Sequence, residues 1–177
     1  MMALLFIALA ILTFIHFVYE GILAPSFRAK LRLDFFKLRD DLRDLKIARK
    51  NELSDEVFRD LQDGINGAVV RLNQIDFGLL KKAHDAFERD EKLQKSVARR
   101  NAMFDACAVG EVKEIRQRYF ELLDRALMIN SGGWFPYLVP IALALIFADT
   151  ARNSIKNVFT LPENDLNRIA PPLMSVA

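Results

Sequence analysis

Two long uncharged stretches bracket a charged centre in this 177-residue chain. Ala3 to Tyr19 holds no acid or base except His16, and Ala126 to Ala148 holds none at all. A helix crossing the hydrocarbon core of a bilayer needs about 20 predominantly apolar residues. Its backbone groups must bond within the segment, because lipid supplies no partners. The layout therefore predicts an all-α integral membrane protein, with two transmembrane segments flanking a cytoplasmic helical bundle or coiled-coil-like hairpin. The divisions fall at residues 1–25 for a transmembrane anchor helix, 26–130 for an amphipathic bundle, 131–148 for a second membrane segment and 149–177 for a tail.

The first stretch reads as a retained anchor rather than a removed secretory leader. No Lys or Arg precedes it, and its apolar run is longer than a leader's usual core. Cleavage after Ala24 would set Pro25 immediately downstream and Ile22 at the third position back, both unfavourable. Flanking charge sets the orientation. Arg28 to Lys50 holds nine bases and four acids, and short basic flanks stay on the cytoplasmic side. The N-terminus is expected outside and the centre in the cytoplasm, at the cell's inner membrane. The same basic stretch is drawn to anionic headgroups, so the lipid bilayer is the first partner expected.

The second stretch is less uniform. Ser131-Gly132-Gly133 interrupts whatever precedes it, while Trp134 and Tyr137 suit headgroup level. Pro136 fits the first turn of a helix and Pro140 lies one turn on. The dense apolar part from Trp134 to Ala148 would be about 22 Å long, which suits a full span or a re-entrant helix.

The centre has helical periodicity nearly throughout. Leu31, Phe35, Leu38, Leu42 and Leu45 step by four, three, four and three. Ser54 is an expected N-cap, with Asp55 and Glu56 favourable to the dipole in the first turn. Phe58, Leu61, Ile65, Ala68, Leu72, Ile75 and Leu79 then keep the alternation, so one long middle helix is predicted from Ser54 to Phe104. Gly64, Gly67 and Gly78 weaken such a rod, since each costs about 1 kcal/mol relative to Ala in a helix interior. The stripe nonetheless runs through Asn66-Gly67, so close helix packing is expected there. A break near Gly110 precedes a third helix carrying Val112, Ile115, Tyr119, Leu122, Ala126 and Ile129. Val57, Gly64 and Val69 flank the middle stripe where a two-stranded coiled coil would carry charge, so a packed bundle is expected. A second apolar side formed by Val70, Phe77, Leu80 and Phe87 is read as a helix interaction face.

No recognisable chemistry stands out. The sequence has no glycine-rich phosphate loop, no H-E-x-x-H, no C-x-x-C and no G-x-S-x-G. His84 and Glu88 stand four apart, but no third ligand is proposed beside them. Cys107, the single cysteine, excludes an intramolecular disulfide and reads as a packing residue. In the centre, Ser26 to Asn130, 22 Lys and Arg face 19 Asp and Glu. That balance does not point to nucleic acid. No catalytic residue, metal or cofactor is expected, and the chain does not read as an enzyme.

The polar residues at membrane depth are Thr13, His16 and Glu20, on one helix face, and Asp149 at the end of the second segment. Ionisable groups are costly in lipid and often functional, but here His16, Glu20 and Asp149 lie close enough to a membrane edge to reach water. The function expected is a membrane-anchored helical scaffold or assembly protein, forming a homo-oligomer or meeting a membrane-proximal partner. The rival is a small oligomeric channel or membrane-perturbing effector, with Thr13, His16 and Glu20 around its path and the cytoplasmic helices as its gate. Leu138 to Ala148 adds no polar lining to such a path.

Overall fold

Four- and three-residue steps bring Leu31, Phe35, Leu38 and Leu42 to one side of a helix, and all four are buried. The structure, a computed structural model, describes residues 2–132. Asp149 and nearly all of the expected second membrane segment and tail lie outside the described residues. Within them the chain is all-helical, without a strand: α1 (Met2–Val18), a π-helical turn (Tyr19–Leu23), α2 (Ala24–Ala48), α3 (Asp55–Val70), a 3-10 turn (Leu72–Gln74), α4 (Phe77–Arg89), α5 (Glu91–Asp105) and α6 (Gly110–Ser131). One helix among the described residues is long and apolar enough to cross a membrane. Length and composition alone would suit a leader sequence equally.

The four legs of the bundle alternate in direction. Arg28 meets Asn130, Asp41 meets Arg118 and Arg49 meets Glu111, so α2 and α6 run antiparallel. The loop after Ala48 turns the chain back. Arg49 and Lys50 leave the helix, Ser54 receives the amide of Val57 on its hydroxyl at 3.2 Å, and α3 begins where the sequence placed its cap. Lys46 closes this corner by bonding Asp55 at 2.6 Å. The Tyr119 hydroxyl donates to the Gly64 carbonyl at 3.1 Å, with α3 running alongside α6 in the same sense. A Cβ at Gly64 would touch that hydroxyl at 3.4 Å, so this glycine permits a close approach of the two helices.

The predicted middle helix is not continuous. It breaks after Val70 and again at Asp90, giving α3, α4 and α5 in place of a rod about 75 Å long. Asp76 is the reason for the second start: its carboxylate accepts the Leu79 amide at 2.8 Å. Asp90 does the same for Lys92 and Leu93, at 2.9 and 3.3 Å. Short acidic side chains satisfy orphan amides at helix starts, which compensates for ending the previous helix. Leu72, Ile75 and Leu79 are nevertheless all buried, so the stripe persists while the backbone under it turns.

The α4–α5 leg begins beside the end of α6, where the Phe77 amide donates to Ser131 Oγ at 3.4 Å. It reaches the other end of the bundle at Arg100, whose guanidinium holds Asp60 at 2.6 and 3.0 Å. Arg116 lies over Phe104 and Phe120, 4.5 and 5.4 Å from their ring centres, and donates to Asn101 at 2.6 Å. Burial lowers its pKa from the ordinary arginine value, while the Asp105 carboxylate opposes that shift. The core thus lies between four legs, with Phe35, Leu42, Ile65, Leu72 and Leu123 among its most enclosed side chains.

Two predictions follow from this packing. Phe35→Ala should cost about 3–5 kcal/mol in denaturant unfolding of the detergent-solubilised chain, whereas Ile47→Ala, 77% exposed, should stay within about 0.5 kcal/mol. The corner carboxyls give a pH dependence. The bond to Lys46 holds Asp55 below its usual value, and the backbone amide of Glu111 together with Arg49 does so for Glu111. Both depressed values stabilise the fold above the unfolded carboxyl range and lose that effect as pH falls below about 4. Lys46→Gln together with Arg49→Gln should flatten the acid limb of the unfolding midpoint plotted against pH.

Candidate functional site

Pro25 sets the geometry where the apolar helix joins the bundle. A proline ring clashes with the carbonyl four residues back and donates no amide hydrogen. The turn just before it, Tyr19–Leu23, opens to π-helical form, and the Ala24 amide donates to the Tyr19 carbonyl five residues back. Gly21 lies inside that turn with open space where a side chain would be. The Ser26 hydroxyl donates to the Ile22 carbonyl at 2.8 Å, using an acceptor beside the disturbed ladder. Helical geometry continues from Met2 to Ala48, so no loop separates α1 from the first leg of the bundle.

One extra residue per turn rotates the preceding helix by about 100° relative to a regular one. Glu20 lies within the π turn and meets Arg28 at 3.3 Å. Arg28 also donates through Nε to Asn130 Oδ1 at 2.8 Å. The other end of that amide donates to the carbonyls of Leu72 and Ile75, at 2.6 and 2.9 Å. These are carbonyls left by the break between α3 and α4. The Tyr19 hydroxyl donates to the Ile129 carbonyl at 2.8 Å, in the last turn of α6. Gly132 follows immediately, and a Cβ there would overlap the Tyr19 hydroxyl. Arg71, 2% exposed, lies at the same end of the bundle with Nη1 3.5 Å from the Gly67 carbonyl.

This junction is a polar latch. It joins the exit of α1, the α3–α4 break and the end of α6 through side chains of Tyr19, Glu20, Arg28 and Asn130. Its elements can bear load and fix an angle between α1 and the bundle. No group of three or more metal-ligating side chains occurs among the described residues.

The sequence-derived candidates are divided by the structure. Thr13 is exposed and His16 half-buried on α1, while Glu20 pairs with Arg28 in the latch. Of the expected interaction face, Val70 and Phe77 are exposed, Phe87 is half-buried against the core and Leu80 is buried in it. Leu80 is thereby removed from any outer face in this fold, because the break at residues 71–76 turns α4 to point it inward. His84 and Glu88 are exposed on α4, and Cys107 packs half-buried against the core between α5 and α6. A groove of about 630 Å³ between α3 and α5 is lined by Glu56, Asp60, Arg99 and Arg100, acids already matched to bases. Tyr19, Arg28, Arg71 and Asn130 were not singled out from the sequence. Pro25 four residues after Gly21 was the available signal for a disturbed turn, and Asn130 was concealed within an uncharged run.

Comparison of the chain with protein-family models, curated proteins and solved structures finds no match in any of the three.

Two substitutions test the latch. Asn130→Ala strips the Leu72 and Ile75 carbonyls of a donor and should destabilise the fold by about 1–3 kcal/mol, read from the denaturation midpoint in detergent. Pro25→Ala should let the turn close to regular α-helix and rotate α1 by about 100°. Spin labels at Phe17 and Met128 would register that as a new, single interlabel distance; an unchanged distance would show that the proline does not cause the π turn.

Proposed function

We infer that this protein is a membrane-anchored helical scaffold, with α1 in the bilayer and the bundle held rigidly at its cytoplasmic surface. The observation carrying this reading is the unbroken helix from α1 into α2, bonded on its flank by the latch. A simple tether needs only a flexible linker. A helix fixed at several points instead sets the orientation of what it carries.

The exposure of α1 supports the lipid half of the reading. Met2, Phe6, Ile7, Ile11, Phe14, Ile15 and Phe17 are all exposed. At 100° per residue they cover more than half the circumference. A helix apolar on that much of its surface, with those side chains exposed, is suited to lipid. The first apolar segment is then the retained anchor, with the N-terminus outside and residues 26–130 cytoplasmic. The last described residue, Gly132, lies against Tyr19, at the end of the bundle where α1 joins it. That topology favours a second membrane segment at 131–148 and a multi-pass inner-membrane location.

The scaffold works by association at the membrane, with copies of itself or a partner chain. The scaffold is favoured over the channel alternative because Glu20 is paired with Arg28 at the junction with the bundle. The test combines two measurements on the full chain. Native mass in mild detergent at micromolar concentration should exceed that of one chain; a strictly monomeric mass removes self-association. Reconstituted vesicles should remain electrically silent between pH 5 and 8, about the range over which a histidine changes charge. A conductance lost in His16→Ala would overturn the scaffold in favour of the channel.

A further inference from the structure

Four large apolar side chains are left exposed at the latch end of the bundle, one from each leg. Phe27 adjoins Arg28, Val70 lies two residues before Leu72, Phe77 bonds Ser131 through its amide, and Met128 lies two residues before Asn130. The latch bonds therefore place all four at one level of the molecule. They are 46%, 65%, 40% and 50% exposed respectively. Single exposed apolar residues need no explanation, but a set at one level, contributed by every leg, does.

Charge at that level is one-sided. Across residues 20–32, 67–82 and 124–132, the exposed charged residues are Lys30, Arg32, Lys81, Lys82 and Arg125, all bases. The acids there are engaged or half-buried: Glu20 pairs with Arg28, and Asp76 caps α4. The opposite end carries exposed acids, including Asp44, Glu52, Asp55 and Glu56.

We propose that this end of the bundle docks on the bilayer surface, with Phe27, Val70, Phe77 and Met128 entering the interfacial layer and the surrounding lysines and arginines binding anionic lipid phosphates. Lipid is the occupant because the collar is continuous with α1, which leaves the bundle at the same level, and because its exposed charge is complementary to an anionic leaflet. The rigid latch then has a further consequence: it holds the bundle end-on, so that all four legs reach the headgroups together. The inference rests on α1 being a membrane anchor, and the test separates the two.

The experiment uses the full chain carrying Cys107→Ala and one nitroxide-labelled cysteine in turn, Phe14→Cys, Val70→Cys, Phe77→Cys or Ile47→Cys, with helicity checked by circular dichroism. Each is reconstituted into vesicles of phosphatidylcholine alone and mixed with phosphatidylglycerol, and label depth is read from collisions with oxygen and a water-soluble nickel chelate. The expected result is Phe14→Cys deep in hydrocarbon, Val70→Cys and Phe77→Cys at headgroup depth, and Ile47→Cys in water. Phosphatidylglycerol should raise the docked fraction. Salt should lower it as the Debye length contracts from about 10 Å at 0.1 M to about 3 Å at 1 M. Each replacement of Lys30, Arg32, Lys81, Lys82 or Arg125 by Gln should reduce the docked-to-undocked ratio about fivefold.

Val70→Cys and Phe77→Cys labels that stay in water while Phe14→Cys is in lipid overturn the collar and leave the anchor standing. Spin–spin broadening between copies at those positions overturns it in favour of a protein contact. A Phe14→Cys label in water overturns the anchor reading itself.

Discussion

The side-chain amide of Asn130 joins three pieces of chain that no helix ladder connects. Its oxygen takes the Arg28 guanidinium from the first leg, and its nitrogen satisfies the carbonyls of Leu72 and Ile75 where α3 gives way to α4. Buried carbonyls without donors are expensive, so the amide that α6 supplies stabilises the break in the middle leg. Arg28 in turn holds Glu20 inside the π turn. The break, the turn and the angle of α1 are therefore linked through one residue.

That linkage gives a physical meaning to the continuous helix. In α1 the exposed residues are apolar over most of the surface described, while in α2 burial is confined to one stripe and most of the rest is charged. The change of environment occurs within a few residues of Tyr19 and Arg28. A flexible joint there would let the bundle tumble relative to α1. The π turn and its polar side chains instead hold a defined orientation, which is the property a scaffold or a surface-docked bundle requires.

Much of the fold was legible because burial leaves a periodic trace. The stripe from Leu31 to Leu42, the Ser54 cap and the start at Gly110 all came from local pattern, and each has its place in the bundle. The long middle helix did not hold. Leu72, Ile75 and Leu79 keep heptad spacing and are buried, but that spacing reports which side chains face inward, and a 3-10 turn can preserve it while the helix ends. Asp76 and Asp90 were the local signs, and they resemble ordinary solvated acids until their carboxylates are seen on backbone amides. The latch was less legible still. Tyr19 and Ile129, or Arg28 and Asn130, are over a hundred residues apart, and no local period encodes such a pairing.

Composition and order along the chain determined that this protein is helical, that its charged part is amphipathic, and that its first segment is suited to lipid. Those properties follow from side-chain hydropathy at a fixed helical period and need no knowledge of neighbours. Only the tertiary structure decided where the middle leg breaks, which of Val70, Phe77, Leu80 and Phe87 reaches the outside, and how α1 is fastened to the bundle. Each depends on whether a distant group satisfies an exposed carbonyl or covers an apolar side chain, and distance along a sequence does not measure distance in space.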